Sequence, residues 1–205
     1  MISGNRPARR PILAALGTGL AAFLLAGAAA PAPAAESWGL EDLFARFARV
    51  PSSNARFTET RELGLLTAPL ESSGTLTYRR PDFLEKRTLQ PQPESLRLDG
   101  DRLTLTQADG ASRTLSVSAM PEIQTYVESI RATLRGDVPT LMRFYEVALE
   151  GTLQDWRMQL TPRAEEARQT VQRIVIAGRD AAIRRIEVLQ ADGDRSIMTI
   201  QPDPA

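Results

Sequence analysis

Leu76, Tyr78 and Arg80 occupy alternate positions in the run Gly74-Thr75-Leu76-Thr77-Tyr78-Arg79-Arg80-Pro81. Side chains alternate across a strand, so these three share one face while Thr75, Thr77 and Arg79 share the other. The chemistry on offer is noncovalent: two apolar groups followed by a guanidinium that must find acceptors, since an unpaired buried charge costs on the order of several kcal/mol. Arg80 is thus a candidate latch at the mouth of an apolar cavity. The competing reading is an edge where the strand leaves the core and the arginine snorkels into water.

Covalent chemistry has little to work with. The chain contains no His and no Cys, which excludes a Ser-His-Asp triad, a cysteine nucleophile and a zinc site of the usual kind. Carboxylates are the remaining general acids and bases. The tightest acidic groups are Glu165-Glu166 and Asp192-Gly193-Asp194, but sequence neighbours point apart and the second pair sits on a turn. A glycosidase-type carboxylate pair assembled from distant strands stays open at this point. Asp99-Gly100-Asp101 and Asp192-Gly193-Asp194 lack the ligand spacing and terminal glutamate of an EF-hand. The sequence therefore leads to no catalytic residue, metal site or cofactor.

The turns give the architecture that must position the Leu76 face. Asp99-Gly100, Asp109-Gly110, Glu150-Gly151, Gly178-Arg179 and Asp192-Gly193 each separate two runs of alternating character, as tight hairpins require. Strands are expected at about 54–66, 70–80, 83–90, 95–98, 102–107, 112–117, 145–150, 152–161, 170–177, 181–190 and 195–201. One apolar face is supplied by Leu103 and Leu105, Leu115 and Val117, Val147 and Leu149, Met158 and Leu160, Ile174 and Ile176, and Ile186 and Val188. An antiparallel meander with one apolar face must curl on itself or be covered.

Two helices can cover it. Ser37 can cap a helix carrying Leu40, Leu43, Phe44, Phe47 and Val50 at helical spacing up to Pro51. The second runs from about Pro121 to Arg135, with Ile123, Tyr126, Val127, Ile130 and Leu134 on one face and Gly136 as its stop. Asp137 can cap a short third turn through Pro139 and Leu141. The fold expected is mainly β (α+β): an antiparallel meander of about eleven strands that curls on itself or is covered, with helices placed to lie across its open end.

Arg6, Arg9 and Arg10 precede an apolar run from Ile12 to Ala30, followed by Ala32-Pro33-Ala34-Ala35. This pattern is that of a secretory signal peptide over 1–35, cleaved near Ala34 or Ala35. Arg9-Arg10 is similar to a twin-arginine signal, but Pro11-Ile12-Leu13 departs from its usual continuation, so general secretion is the expected route. Residues 36–205 are then a single domain. Basic and acidic residues number 25 each, and loss of the three leader arginines leaves a net charge of about −3, which argues against a nucleic-acid partner.

From about Leu40 to Ile200 the chain resembles the LolA family of periplasmic outer-membrane lipoprotein carriers. The resemblance rests on Phe57-Thr58-Glu59, on Gly74-Thr75-Leu76 leading to Arg80-Pro81, on Gln90-Pro91, on the Asp99-Gly100 turn, on Leu160-Thr161-Pro162 and on Gly178-Arg179-Asp180. It implies an incomplete antiparallel barrel, or half-barrel, of about eleven strands with a helical lid over an apolar cavity, and it passes to Arg80 the role of bonding the lid. Lipid-lining residues would be Leu76, Tyr78, Leu84, Leu103, Leu105, Ile123, Val127 and Ile130. Partners implied are an acylated lipoprotein or lipid cargo, an inner-membrane donor complex and an outer-membrane acceptor, the protein acting as a monomer in the periplasm. Glu59 stands where the family has glutamine, and Phe83-Leu84-Glu85-Lys86-Arg87-Thr88 carries charge on either face where the family places aromatic residues. The chain ends at Gln201-Pro202-Asp203-Pro204-Ala205, where longer carriers continue. These departures mark a short, divergent member and raise two alternatives: a carrier of another acylated lipid (fatty acid, glycolipid or polyene lipid), or an accessory protein that docks on a membrane complex without holding lipid.

Overall fold

Eleven strands form one antiparallel sheet in the order β6-β5-β4-β3-β2-β1-β11-β10-β9-β8-β7. The computed structural model describes residues 38–203, and for residues 121–123, 125 and 126 the backbone alone. The leader with its cleavage site, the Ser37 cap and the side chain of Ile123 lie outside the described residues. The strands are β1 (Ser52–Glu62), β2 (Leu70–Arg79), β3 (Phe83–Gln90), β4 (Glu94–Asp99), β5 (Arg102–Thr106), β6 (Ser112–Ser116), β7 (Tyr145–Thr152), β8 (Asp155–Pro162), β9 (Val171–Arg179), β10 (Ala182–Gln190) and β11 (Arg195–Pro202). Every neighbour in sequence is a neighbour in the sheet except at one place. Between β6 and β7 the chain leaves one edge, crosses as two helices and rejoins at the other, while β1 pairs with β11 in the middle. The sheet is therefore open, an incomplete barrel of the class expected.

Helix α1 spans Leu40–Phe47, α2 Pro121–Arg135 and α3 Val138–Phe144. The start of α1 is set by Gly39, whose N–H donates to the Asp42 carboxylate at 2.9 Å. Asp137 caps α3 as expected, accepting from the Thr140 N–H at 3.0 Å. A short α4 (Glu165–Arg168) was not foreseen; Arg168 donates to Glu165 at 2.6 Å, which gives that acidic residue a structural partner.

Two expected turns lie further along the chain, the first by three residues and the second by two. Gly151 lies inside β7 and Gly178 inside β9, and the reversals follow at Leu153-Gln154 and at Asp180-Ala181, Asp180 itself adopting φ 48°. Both glycines face Trp156 across their ladders, Gly151 from β7 and Gly178 from β9. A methyl at Gly178 would overlap the indole ring. Gly178 thus makes room for a buried tryptophan, while Gly151, at φ 91°, leaves room for the Asp155 carbonyl, so two patterns read as turns were requirements of close approach across the ladders.

The helices pack on one face of the sheet, here the inner face. Leu43, Phe44 and Phe47 of α1 and Val138 and Leu141 of α3 bury against Tyr145, Trp156, Met158, Leu160 and Ile176. The ring of Phe47 meets Trp156 edge to face at 5.8 Å. At the other end of the sheet, Val127 of α2 packs with Leu98, Leu103 and Val117. The two apolar clusters anchor the helices at either end and leave the middle of the inner face between them.

Candidate functional site

Register places the inner-face residues in rows. Leu115, Leu103, Leu98, Leu84 and Tyr78 are successive partners from β6 to β2. The next row reads Arg113, Leu105, Leu96, Lys86, Leu76 and Ala55. Beyond it come Thr88, Gly74, Phe57 and Ile200, and then Ser72, Glu59 and Met198. Gly74 belongs to this site because a side chain there would overlap the Arg87 carbonyl oxygen of β3.

The first row is covered by α2 and the second is not. Leu96 is 42% exposed and Leu105 40% exposed, although both point to the inner face. Around α2, a period of 3.6 residues sets Arg131, Val127, Leu134 and Ile130 side by side in that order. Arg131 donates to the Gly100 carbonyl at the β4–β5 turn, and Val127 rests on Leu98 and Leu103. Ile130 therefore falls toward the Leu96–Leu105 row, and it is 48% exposed. Leu96 and Leu105 on the sheet and Ile130 on the helix are thus three apolar side chains left open to solvent. Depressions of about 290 and 410 Å³ elsewhere on the sheet involve charged residues of β9 and β10 such as Arg173, Glu187, Arg179 and Arg184, and suit an acyl chain less well.

Polar bonds tie the helices down. Arg80, just past the end of β2, donates to the carbonyl of Ala48 at the end of α1 and to that of Arg135 at the end of α2, the latter at 3.2 Å. A guanidinium at the C-terminal ends of two helices also meets the negative end of each dipole. Tyr78 donates its hydroxyl to the Leu134 carbonyl at 3.3 Å, and burial pushes its phenol above the ordinary range. Arg135 pairs with Asp82.

A charged pair lies on the floor of the strip. Lys86 reaches from between Leu76 and Leu96, across the Phe57 ring at 5.0 Å from its centroid, to Glu59 Oε2 at 2.5 Å. Glu59 also accepts from Ser196 at 2.7 Å and Ser72 at 3.5 Å. Burial pushes the Glu59 carboxyl up, but the hydrogen bonds from Lys86 and Ser196 and the charges of Lys86 and Arg61 outweigh it, holding the group below the ordinary glutamate range.

A model described as outer membrane lipoprotein carrier protein LolA-like matches residues 28–201. The chain belongs to this LolA-like family. The family's description is that of a carrier. No curated protein sequence matches the chain significantly. Among solved structures, a LolA superfamily protein from Nitrosomonas europaea is 12% identical with a TM-score of 0.43, covering 78% of this chain and 90% of that one. A MucA/MucB complex from Pseudomonas aeruginosa matches at 15% identity and TM-score 0.45, over 81% of this chain and 58% of the other. A putative outer membrane lipoprotein-sorting protein domain from Vibrio parahaemolyticus gives 11% and 0.40, over 79% and 89%. Among the described residues of this LolA-like chain, no helix is long and apolar enough to cross a membrane.

Of the expected lining residues, Leu76, Tyr78, Leu84, Leu103 and Leu105 share the inner face, and Val127 packs onto the first row. Val127 is buried in that contact while Ile130 borders the open strip, so the single stripe read on α2 splits between two environments. The buried positions of α2 include Ser129, Arg131, Ala132 and Thr133 as well, because the helix packs against α1 and α3 in addition to the sheet. Sequence reading missed Leu96 and Leu98 as lining residues and missed the Glu59–Lys86 contact. Its signal was present in both departures from the family pattern, at Glu59 and in the strand containing Lys86.

Proposed function

We propose that this LolA-like protein is a periplasmic carrier that shields acyl chains on its inner face, with no covalent chemistry of its own. The observation that carries the reading is the open strip of Leu76, Leu96 and Leu105 bordered by Ile130, next to a helical cover held by side-chain bonds. Burying apolar surface there is worth about 25 cal/mol per Å², so part of one acyl chain contributes several kcal/mol. In this reading residues 1–35 are a cleaved signal peptide and 36–205 the single carrier domain, working as a monomer. The cargo is an acylated lipoprotein or related lipid passed from an inner-membrane donor to an outer-membrane acceptor. Arg80 is the lid latch: its two bonds favour the closed state, and entering lipid must break them.

Native mass spectrometry of freshly purified protein tests this. A carrier is expected to retain lipid-mass adducts that disappear on delipidation and return with added lipid. Protein free of adducts, both as isolated and after incubation with fatty acid or triacylated lipopeptide, would overturn the reading in favour of an accessory module.

A further inference from the structure

We propose that Lys86 anchors the polar head of the cargo, and that the strip is suited to an amphiphile with an acyl tail and an acidic oxygen head, a carboxylate in the simplest case. This rests on the carrier reading and specifies its ligand.

Lys86 is the chain's sole lysine, and register puts it between Leu76 on β2 and Leu96 on β4. Its ammonium has three donors, of which one is used by Glu59. The side chain keeps 29% of its surface exposed, whereas that of Glu59 keeps 10%. The ammonium is thus the member of the pair that a ligand lying on Leu76 and Leu96 would reach. Plain hydrocarbon laid over it would strip water from the remaining donors and give nothing back, an outcome that buried polar groups penalise. An acyl chain whose head brings acceptor oxygens to Lys86 avoids that penalty while its tail covers the leucines.

The surrounding charges favour an acidic head. Facing the same space are the cations Lys86, Arg61 and Arg113 and the acids Glu59 and Glu94. Glu94 already accepts from the Thr88 hydroxyl at 3.3 Å. Glu59 keeps Ser196, Ser72 and the nearby Arg61 charge if its lysine is shared. A second carboxylate at Lys86 would therefore share the ammonium with a Glu59 that retains other partners.

The test is calorimetric titration with dodecanoate and with methyl dodecanoate, which share a tail and differ in head charge. Wild type is expected to prefer the acid. Glu59→Gln/Lys86→Met removes both charges and leaves no orphaned ion; it is expected to weaken dodecanoate about tenfold or more, the scale of a lost charge-assisted bond, while the ester binds as before or more tightly. Glu59→Gln alone frees Lys86 and is expected to sharpen the preference for the acid. Equal loss of both ligands in the double variant, or an acid preference that neither variant moves, would overturn the anchor. Wild type that binds both ligands equally leaves the carrier standing and removes the anchor; wild type that binds neither removes both.

Discussion

Arg80→Leu is expected to hold a bound fluorescent lipid longer than wild type and to bind it more tightly. The guanidinium donates to the last carbonyls of two helices, Ala48 and Arg135, and so contributes to the closed, lipid-free state. Those carbonyls can turn to water when the donor is gone, so the substitution leaves a folded protein with a weaker closed state. Arg80 is itself exposed, which trims the effect to about 1–2 kcal/mol, a factor of roughly 5–30 in the competition between closure and cargo. The leucine adds apolar surface at the mouth and acts in the same direction. Stopped-flow displacement on the two proteins side by side reads the rates. An unchanged or faster release from Arg80→Leu would show that the arginine is an ordinary edge residue and that closure is held elsewhere, at Arg131 and Gly100 or at Tyr78 and Leu134.

Gly136→Ala is expected to give the largest loss of stability of any single methyl added to the helical cover. Gly136 ends α2 at φ 78°, a left-handed conformation that costs an alanine about 1–2 kcal/mol. The new Cβ would also overlap the carbonyl oxygen of Phe44 and the Cβ of Ala48, so α1 and α2 must part to admit it. Thermal unfolding followed by circular dichroism is expected to fall by at least about 4 °C, given that ~1 kcal/mol moves a domain of this size by 2–4 °C. The same separation pulls apart the two carbonyls that Arg80 bridges, so the variant is expected to bind lipid more readily than its lowered stability would suggest. A melting temperature within a degree of wild type would mean that the two helices are not held as closely as described.

The strand pattern was legible because its signal is local. Alternation between polar and apolar residues, interrupted by pairs such as Asp99-Gly100 and Asp192-Gly193, depends on neighbours in sequence alone, and the eleven strands follow from it. Helix α2 was legible for the same reason, with a proline at its start and a glycine at its stop. What failed was information carried across the sheet. Gly178 looks like a turn residue until the Trp156 ring is seen against it, and Gly151 until the Asp155 carbonyl is. Glu59 and Lys86 lie on strands separated by β2, and their meeting depends on two registers and on the shift between Ser73 and Gly74. A lysine can also reach past its own row, so even correct rows place the two charges side by side only once side-chain length is considered. On α2 the apolar stripe could not show which side faces the sheet, because α1 and α3 bury the polar Ser129 and Thr133 side as well.

The central claim is that the Leu76–Leu96–Leu105 strip holds an acyl chain, and its most direct measurement is the titration of a fluorescent fatty acid against wild type and Leu76→Glu. Leu76 is half-buried on the inner face beside Lys86, so a carboxylate there removes apolar contact, engages the lysine and repels an acidic head. Binding is expected to saturate in wild type and to weaken about tenfold or more in the variant, with both proteins folded by circular dichroism. Saturable binding of equal strength in Leu76→Glu would contradict the account, because the lipid would then lie somewhere other than this strip.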